Sequence, residues 1–161
     1  MLRLSKLTDY AVVVLVRLGQ VSSVSTSSGV ASATHVPEPT VAKVLKALAG
    51  GGLVISQRGA RGGYRLARPL AQMNLADVIG VIDGPIALTA CVDGGSGCEV
   101  DHVCAVRGRW DLVNDAIAHA FRAISMADLA EASVPTAFRL PASKPLASAA
   151  SPSSSTPAFV E

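Results

Sequence analysis

The sequence has few aromatic residues, few charged residues and no long hydrophobic run. Of its 161 residues, 4% are aromatic and 16% are charged, whereas 50% are hydrophobic. The apolar run near the start, Ala11–Val16, ends at Arg17, far short of the roughly 20 residues that cross a bilayer. With Asp9 before it and a charge after it, this run also differs from a secretory signal peptide. We therefore expect a cytoplasmic protein that does not associate with membranes.

Motifs typical of enzymes are also missing. The glycine-rich stretch 94–97 lacks the Lys-Ser/Thr pair of a phosphate-binding loop and does not follow a predicted strand. Cys104 and His102 lie close together in sequence, but no orienting group or oxyanion donor accompanies them. We therefore predict that the chain is not an enzyme.

The charges are divided unequally between the two halves of the chain. Residues 1–70 contain nine Lys or Arg and two Asp or Glu, which gives a net charge of +7. Residues 71–161 contain five Lys or Arg and ten Asp or Glu, which gives −5. This division predicts that the first half of the chain binds a polyanion such as nucleic acid.

The basic half has the pattern of a helix-turn-helix. Apolar residues at helical spacing predict a first helix over Ser5–Gly19, followed by a Ser/Thr-rich loop over 22–28 and a short helix over 30–35. Pro39 is suited to the first position of the next helix, and the three glycines of 50–52 end it. The apolar positions of this last helix form one stripe: Val41, Val44, Leu45 and Leu48.

A β-hairpin is predicted directly after these helices. The segments 53–56 and 64–66 alternate apolar and polar residues, and a glycine-rich stretch joins them. A hairpin in this place is a wing, so the predicted fold is mainly α-helical with a small β-hairpin wing, a winged helix-turn-helix.

These elements predict a DNA-binding surface. The first residues of a recognition helix contact base edges, and longer basic side chains contact phosphates. Arginines on a wing are suited to the narrow minor groove. The predicted contacts are Glu38, Pro39, Thr40, Lys43, Lys46, Arg58 and Arg61. The alternative is that the two lysines belong to an ordinary solvated helix face.

The second half contains one long helix and two capping signals. Asn74 with Asp77, and Ser125 with Asp128, are spaced like capping boxes, each predicting a short helix. Apolar residues at heptad-like spacing predict a helix from about 109 to 125. They are Trp110, Val113, Ile117, Ala120 and Ile124. Such a ridge is suited either to a partner helix or to the core of the same chain.

The three cysteines lie in one segment without a C-x2-C pair. Cys91, Cys98 and Cys104 have the spacing C-x6-C-x5-C, which argues against a zinc finger or ribbon. Three thiolates supply three of the four ligands of an iron–sulfur cluster. His102 or Asp9 is a candidate for the fourth. A zinc site, a regulatory disulfide and inert thiols remain alternatives.

The chain is expected to have four parts. These are a winged helix-turn-helix domain over 1–82, a cysteine segment over 83–108, a long helix with a short closing helix over 109–132, and a disordered tail over 133–161. The end of the tail, 141–161, contains four prolines and six serines with almost no charge, a composition that does not support a packed element.

Taken together, these features resemble the winged-helix regulators of the IscR and NsrR type, most closely the regulators of SUF-operon iron–sulfur assembly. The resemblance rests on the opening segment, the recognition helix, the wing, the cysteine segment and the closing helix. These are residues 2–18, 36–54, 58–67, 87–110 and 124–130.

The resemblance implies a homodimer, joined by the long helix, that binds a palindromic operator in double-stranded DNA. It implies a [2Fe-2S] or [4Fe-4S] cluster on Cys91, Cys98 and Cys104. Some relatives use a histidine three residues after the last cysteine as a fourth ligand, but Arg107 stands there. Others use an acidic residue early in the first helix of the partner subunit, which corresponds to Asp9.

Three hypotheses follow from the sequence. The first is a cluster-dependent transcriptional regulator, and the second is a DNA-binding regulator that responds through a thiol, a disulfide or zinc. The third is an interaction module whose helical ridge binds a protein partner, with the basic face incidental.

Overall fold

The computed structural model describes residues 3–59, 61–90, 92, 103–106 and 108–131. Its elements, in chain order, are α1 (Lys6–Gly19), α2 (Ser27–Thr34), α3 (Glu38–Gly50), β1 (Val54–Gln57), β2 (Gly63–Leu66), a 3-10 turn (Leu70–Gln72), α4 (Leu75–Ile82), α5 (Arg109–Arg122) and α6 (Met126–Ala130). The mainly helical fold with a two-stranded hairpin is as predicted. Within the described ranges, no helix has both the length and the apolarity needed to span a membrane. The predicted tail, 133–161, lies outside the described residues.

Helix α1 forms where the sequence predicts it and supplies one side of the core. The Ser5 side chain caps the helix by accepting a hydrogen bond from the Thr8 backbone N–H. One apolar face, with Ala11, Val14 and Leu15, is completely buried. It packs mainly against α3, α2 and α4.

Helix α2 begins earlier than the sequence predicts. The prediction placed a loop through residue 28 and a helix from residue 30, but the helix begins at Ser27. The physical reason is the Thr26 side chain, which accepts a hydrogen bond from the Gly29 N–H and so caps the helix. The helix ends at Thr34, and the capping residue that follows it, His35, has the left-handed φ of 58°.

Helix α3 carries the predicted apolar stripe into the core. Its first residue is Glu38 and Pro39 stands second, one position later than predicted. All four stripe residues are fully buried, and each contributes about 1.5–3 kcal/mol by leaving water. They are Val41, Val44, Leu45 and Leu48. The helix ends at Gly50, so the predicted stop is confirmed.

The two strands form an antiparallel hairpin close to the predicted positions. β1 begins at Val54, one residue later than predicted, and β2 begins at Gly63, one residue earlier. In the register, Val54 is opposite Leu66 and Ser56 is opposite Tyr64. The apolar ends of both strands, Val54 and Leu66, lie in or against the core, which anchors the hairpin.

The second half is less regular than predicted. The Ser125–Asp128 capping box is present. At α4 the Asn74 side chain caps the Asp77 N–H, but the Asp77 carboxylate pairs with Arg68 at 2.9 Å. The reciprocal half of that predicted box is therefore replaced by an ion pair.

Helix α5 ends at Arg122 rather than at 125, so the predicted ridge residue Ile124 lies beyond the helix. The cause is a tight ending of α5, where the Ile124 N–H bonds the Phe121 carbonyl and Ser125 already caps α6. Among its residues only Asn114 and Ala118 are buried, and the helix packs against α4.

Candidate nucleic-acid interface

The helix-turn-helix is formed by α2, a turn at His35 and α3. Val30 and Val36 on either side of the turn are buried and join the core. With the stripe of α3 facing inward, Lys43 and Lys46 are exposed on the opposite side of that helix. The structure therefore presents both lysines to solvent, as the DNA-binding hypothesis requires.

The first turn of α3 presents the other predicted helix contacts. Glu38 and Pro39 are exposed, and Thr40 is half-buried. The Ser27 hydroxyl at the start of α2 lies 3.5 Å from a carboxylate oxygen of Glu38. The starts of the two helices are therefore neighbours, and both belong to the candidate interface.

The wing carries Arg58 and Arg61, both exposed, on the connection between β1 and β2. This connection is tight, because the Gly62 N–H donates to the Gly59 carbonyl at 2.8 Å. A Cβ on Gly62 would come within 2.6 Å of the Gln57 carbonyl oxygen, so only glycine fits there. The narrow turn holds the two arginines at the tip of the hairpin.

A backbone pair that sequence reasoning missed joins the wing to the helix-turn-helix. Ser25 and Tyr64 exchange two hydrogen bonds, with the Ser25 N–H 2.9 Å from the Tyr64 carbonyl and the Tyr64 N–H 2.8 Å from the Ser25 carbonyl. The pair gives β2 a second neighbour just before α2. The signal in the sequence was weak, because Ser25 lies in a Ser/Thr-rich stretch typical of loops.

The basic side chains of this surface are unneutralised in the described part of the chain. The salt bridge found there, between Arg68 and Asp77, lies outside the interface, and none of the four predicted cations takes part in one. The four are Lys43, Lys46, Arg58 and Arg61. They are therefore available to a polyanion.

The predicted metal ligands are only partly visible. Cys104 is a free, half-buried thiol, whereas Cys91 and Cys98 lie outside the described residues. Asp9 is exposed in the first turn of α1, a place where an acidic side chain also stabilises the helix dipole. The described residues contain no cluster of three or more His, Cys, Asp or Glu, so the cluster site stays a prediction.

The predicted dimerisation ridge is largely uncovered in the single chain. Trp110 is 40% exposed and Val113 is 44% exposed, and with Val106 and Arg109 they line an apolar cleft of about 240 Å³. Ile117 and Ala120 are half-buried. The N-terminal half of this ridge is therefore not part of the core of its own chain.

A buried polar contact links α5 to the segment before the cysteines. Asn114 is 5% exposed, and its side-chain oxygen accepts a hydrogen bond from the Leu88 N–H at 3.1 Å. Asn114 was not singled out from the sequence, since it lies between apolar ridge positions. The contact ties the start of the cysteine segment to α5.

Comparison with known proteins identifies the family. The model for Rrf2, an iron-dependent transcriptional regulator, matches residues 4–132. The chain is 30% identical to an HTH-type transcriptional regulator of Mycobacterium tuberculosis over 136 residues, covering 83% of this chain and 84% of that protein. It is similar to the structure of CymR, the global cysteine regulator of B. subtilis, with a TM-score of 0.64 and 25% identity over 83% of this chain and 100% of that one. It is also similar to IscR of T. potens, with a TM-score of 0.61 and 25% identity over 81% and 88% of the two chains. This chain therefore belongs to the Rrf2 family and is a winged-helix transcriptional regulator, not an enzyme.

Proposed function

We propose that this regulator binds a palindromic operator as a homodimer in the cytoplasm, and that an iron–sulfur cluster on Cys91, Cys98 and Cys104 controls the binding. We further propose that its targets are the SUF genes for iron–sulfur cluster assembly. The observation that carries the DNA-binding part is the exposed basic surface of α3 together with a wing that Ser25 and Tyr64 fix to the helix-turn-helix.

Each part of this surface has a distinct role on DNA. Helix α3 enters the major groove with Glu38, Pro39 and Thr40 toward the bases, since the N-terminal residues of a recognition helix contact base edges. Lys43 and Lys46 contact phosphates farther along the helix. Arg58 and Arg61, at the tip of the wing, reach the adjacent minor groove, where a narrow groove concentrates negative potential.

The homodimer is supported by the exposed apolar surface of α5. Trp110 and Val113 are large side chains that water contacts in the single chain, and burying apolar surface of this kind against a second copy stabilises an assembly. Two copies related by a two-fold axis present two α3 helices to half-sites about one helical turn apart, which is why the operator is palindromic.

The chemistry of the donor set supports an iron–sulfur cluster. The chain has three cysteines and no C-x2-C motif. The one among the described residues, Cys104, is a free, half-buried thiol shortly before the start of α5. Soft thiolates are the preferred ligands of iron in clusters. Asp9 is exposed and so is available to a partner subunit as the fourth ligand. A bound cluster would supply an inorganic group that oxidation or nitric oxide alters.

The route from the cysteine segment to DNA passes through α5. The Asn114 side chain holds the Leu88 backbone, and the same helix carries the proposed dimer surface. A change in the cysteine segment therefore alters the relative position of the two α3 helices. The cluster shifts DNA affinity only to the extent that it prefers one of the two dimer arrangements.

The similarity to CymR is compatible with a second candidate. In it, the DNA-binding surface is the same, but the cysteines respond directly, by forming a disulfide or by binding zinc. This candidate predicts a response to a thiol oxidant or to zinc in protein that contains no iron.

Anaerobic purification tests the proposal. We expect a coloured protein containing both iron and acid-labile sulfide, and a footprint on a palindromic site that differs between the cluster-loaded and the cluster-free protein. A colourless protein that takes up neither iron nor sulfide on reconstitution would contradict the cluster hypothesis.

A cysteine variant separates the two candidates. Cys98→Ser should lose the iron and the change in footprint if the cysteines hold a cluster. Full iron loading of Cys98→Ser, together with a footprint that responds to diamide, would instead favour direct thiol chemistry. Arg122→Ala, at an exposed residue at the end of α5, is a control that should keep the wild-type iron content.

A further inference from the structure

The first turn of the recognition helix carries a carboxylate in an otherwise basic surface. Glu38 is the only acidic residue between positions 10 and 76, and its side chain is exposed. Duplex DNA carries a phosphate charge for about every 1.7 Å of its axis. A carboxylate placed against that backbone weakens binding, so Glu38 is unsuited to a phosphate contact.

The backbone at this end of α3 is also unsuited to phosphate. Helix N-termini bind phosphate through free N–H groups, but Pro37 and Pro39 have none. The N–H groups of Thr40 and Val41 both donate to the Pro37 carbonyl, at 2.9 and 3.0 Å. In the first turn of α3, only the N–H of Glu38 remains available to a ligand. This end of the helix therefore lacks the free N–H groups of a phosphate site, and contact with a base edge suits it better.

The backbone of Glu38 is restrained on both sides, and its side chain has one polar neighbour. The prolines before and after it restrict the backbone, and the Ser27 hydroxyl lies 3.5 Å from Oε1. A side chain restrained before binding loses less entropy when it forms a contact. The arrangement fits a selective contact better than a mobile surface charge.

We infer that Glu38 is a specificity-determining residue, accepting a hydrogen bond from the N4 amino group of a cytosine in the major groove of each half-site. The inference rests on the proposed DNA-binding mode. Cytosine presents a donor to the major groove, and glutamate is an acceptor that pairs with it, whereas thymine at the same place presents an acceptor. The carboxylate favours cytosine by attraction and disfavours thymine by repulsion.

A base-substitution experiment with three proteins tests this role. Operator variants in which each C·G pair of the half-site is changed in turn to T·A are measured against wild type, Glu38→Gln and Glu38→Ala. Wild type should lose about tenfold in affinity at one position of each half-site. Both variants should lose that discrimination, and their affinity for non-specific DNA should rise, because a repulsive charge has been removed.

A structural role for Glu38 gives a different result. An acidic residue in the first turn stabilises a helix, and losing only that contribution would change affinity for all sites equally. A wild-type profile of base preference in Glu38→Gln would therefore overturn the inference. Glu38→Gln keeps the shape of the side chain, so it decides the question if Glu38→Ala folds poorly.

The controls separate this inference from the proposed function. Asp115→Asn removes an exposed acidic residue of α5 that has no proposed role and should leave the base preference unchanged. If wild type itself shows no preferred site and Lys43→Ala has no effect, the proposed DNA-binding mode fails and the inference with it. If Lys43→Ala weakens binding uniformly while Glu38→Gln keeps its preference, only the role of Glu38 is overturned.

Discussion

Thr8 donates a hydrogen bond from its hydroxyl to the Asp83 carboxylate at 2.8 Å, joining the first turn of α1 to the residue that follows α4. The Thr8 side chain is completely buried. The Ser5 N–H lies 3.4 Å from the same Asp83 oxygen. Since the cysteine segment begins at residue 83, these hydrogen bonds join the first helix of the chain to the first residue of that segment.

This contact predicts a pH-dependent contribution to stability. Burial raises the pKa of the Asp83 carboxyl, but the hydrogen bonds from Ser5 and Thr8 outweigh it and hold the pKa below its ordinary value. The stabilisation is therefore complete above the ordinary pKa of aspartate and is lost as the pH falls through the lower folded-state pKa. Thr8→Val should lower the free energy of unfolding by about 1 kcal/mol at pH 7, and by less near pH 3. Urea denaturation at several pH values measures both.

Asp83→Asn completes a double-mutant cycle with Thr8→Val. Combined with Thr8→Val it should cost less than the two separate changes added together, because they remove one shared contact. Equal losses for Thr8→Val at pH 7 and pH 3 would show that the carboxylate charge does not contribute.

The close approach of the wing to the helix-turn-helix predicts the effect of adding one methyl group at Gly63. A Cβ on Gly63 would lie 2.5 Å from the Ser25 carbonyl oxygen, so Gly63→Ala must push the two backbones apart. We expect a loss of about 1–3 kcal/mol and weaker DNA binding, since the wing is released. Thermal denaturation and a gel-shift titration measure these effects.

Gly80 supplies the control for this variant. It lies inside α4, and a Cβ there would meet no atom within 4 Å. Gly80→Ala should therefore stabilise the protein by about 0.5–1 kcal/mol, because alanine loses less backbone entropy in a helix, with DNA affinity unchanged. A destabilised Gly80→Ala would mean that this surface of α4 is covered by something absent from the described residues.

Lys43 should contribute to DNA affinity without contributing to sequence preference. Its exposed ammonium group releases counterions when it meets a phosphate, so Lys43→Ala should weaken binding to every sequence and reduce the salt-dependence slope by about one unit. Fluorescence anisotropy at several salt concentrations measures the slope. Thr40→Ala, one turn earlier, should instead change base preference, and an unchanged affinity in Lys43→Ala would show that another face docks on DNA.

The Asn114–Leu88 hydrogen bond predicts that one buried amide stabilises the start of the cysteine segment. Asn114→Ala leaves the Leu88 N–H without its acceptor and should cost about 1–3 kcal/mol. Hydrogen exchange at the Leu88 amide should also become faster. Asp115→Ala, the exposed neighbour on the same helix, is the control and should change neither quantity. Unchanged exchange at Leu88 in Asn114→Ala would show that the contact is not maintained in solution.

Local signals in the sequence were enough for most helices and for the hairpin. The buried stripe of α3, the Ser125 cap and the alternation at Tyr64–Leu66 each depend on residues a few positions apart. The Thr8–Asp83 and Ser25–Tyr64 contacts join residues 75 and 39 positions apart, and nothing local indicates such pairs. The Asn74 capping box was mispredicted for the same reason, because Arg68 competes for the Asp77 carboxylate from outside the helix. Lysines on the outer face of α3 were predictable since their position follows from the stripe opposite them.

Trp110, on the uncovered surface of α5, is the only tryptophan of the chain. Its indole ring is half in water in the isolated subunit, so its fluorescence emission reports on that one surface and on no other part of the protein. Dilution through the concentration at which subunits separate should move the emission to longer wavelength, and association should move it back. Trp110 is therefore an intrinsic optical probe of the proposed dimer surface.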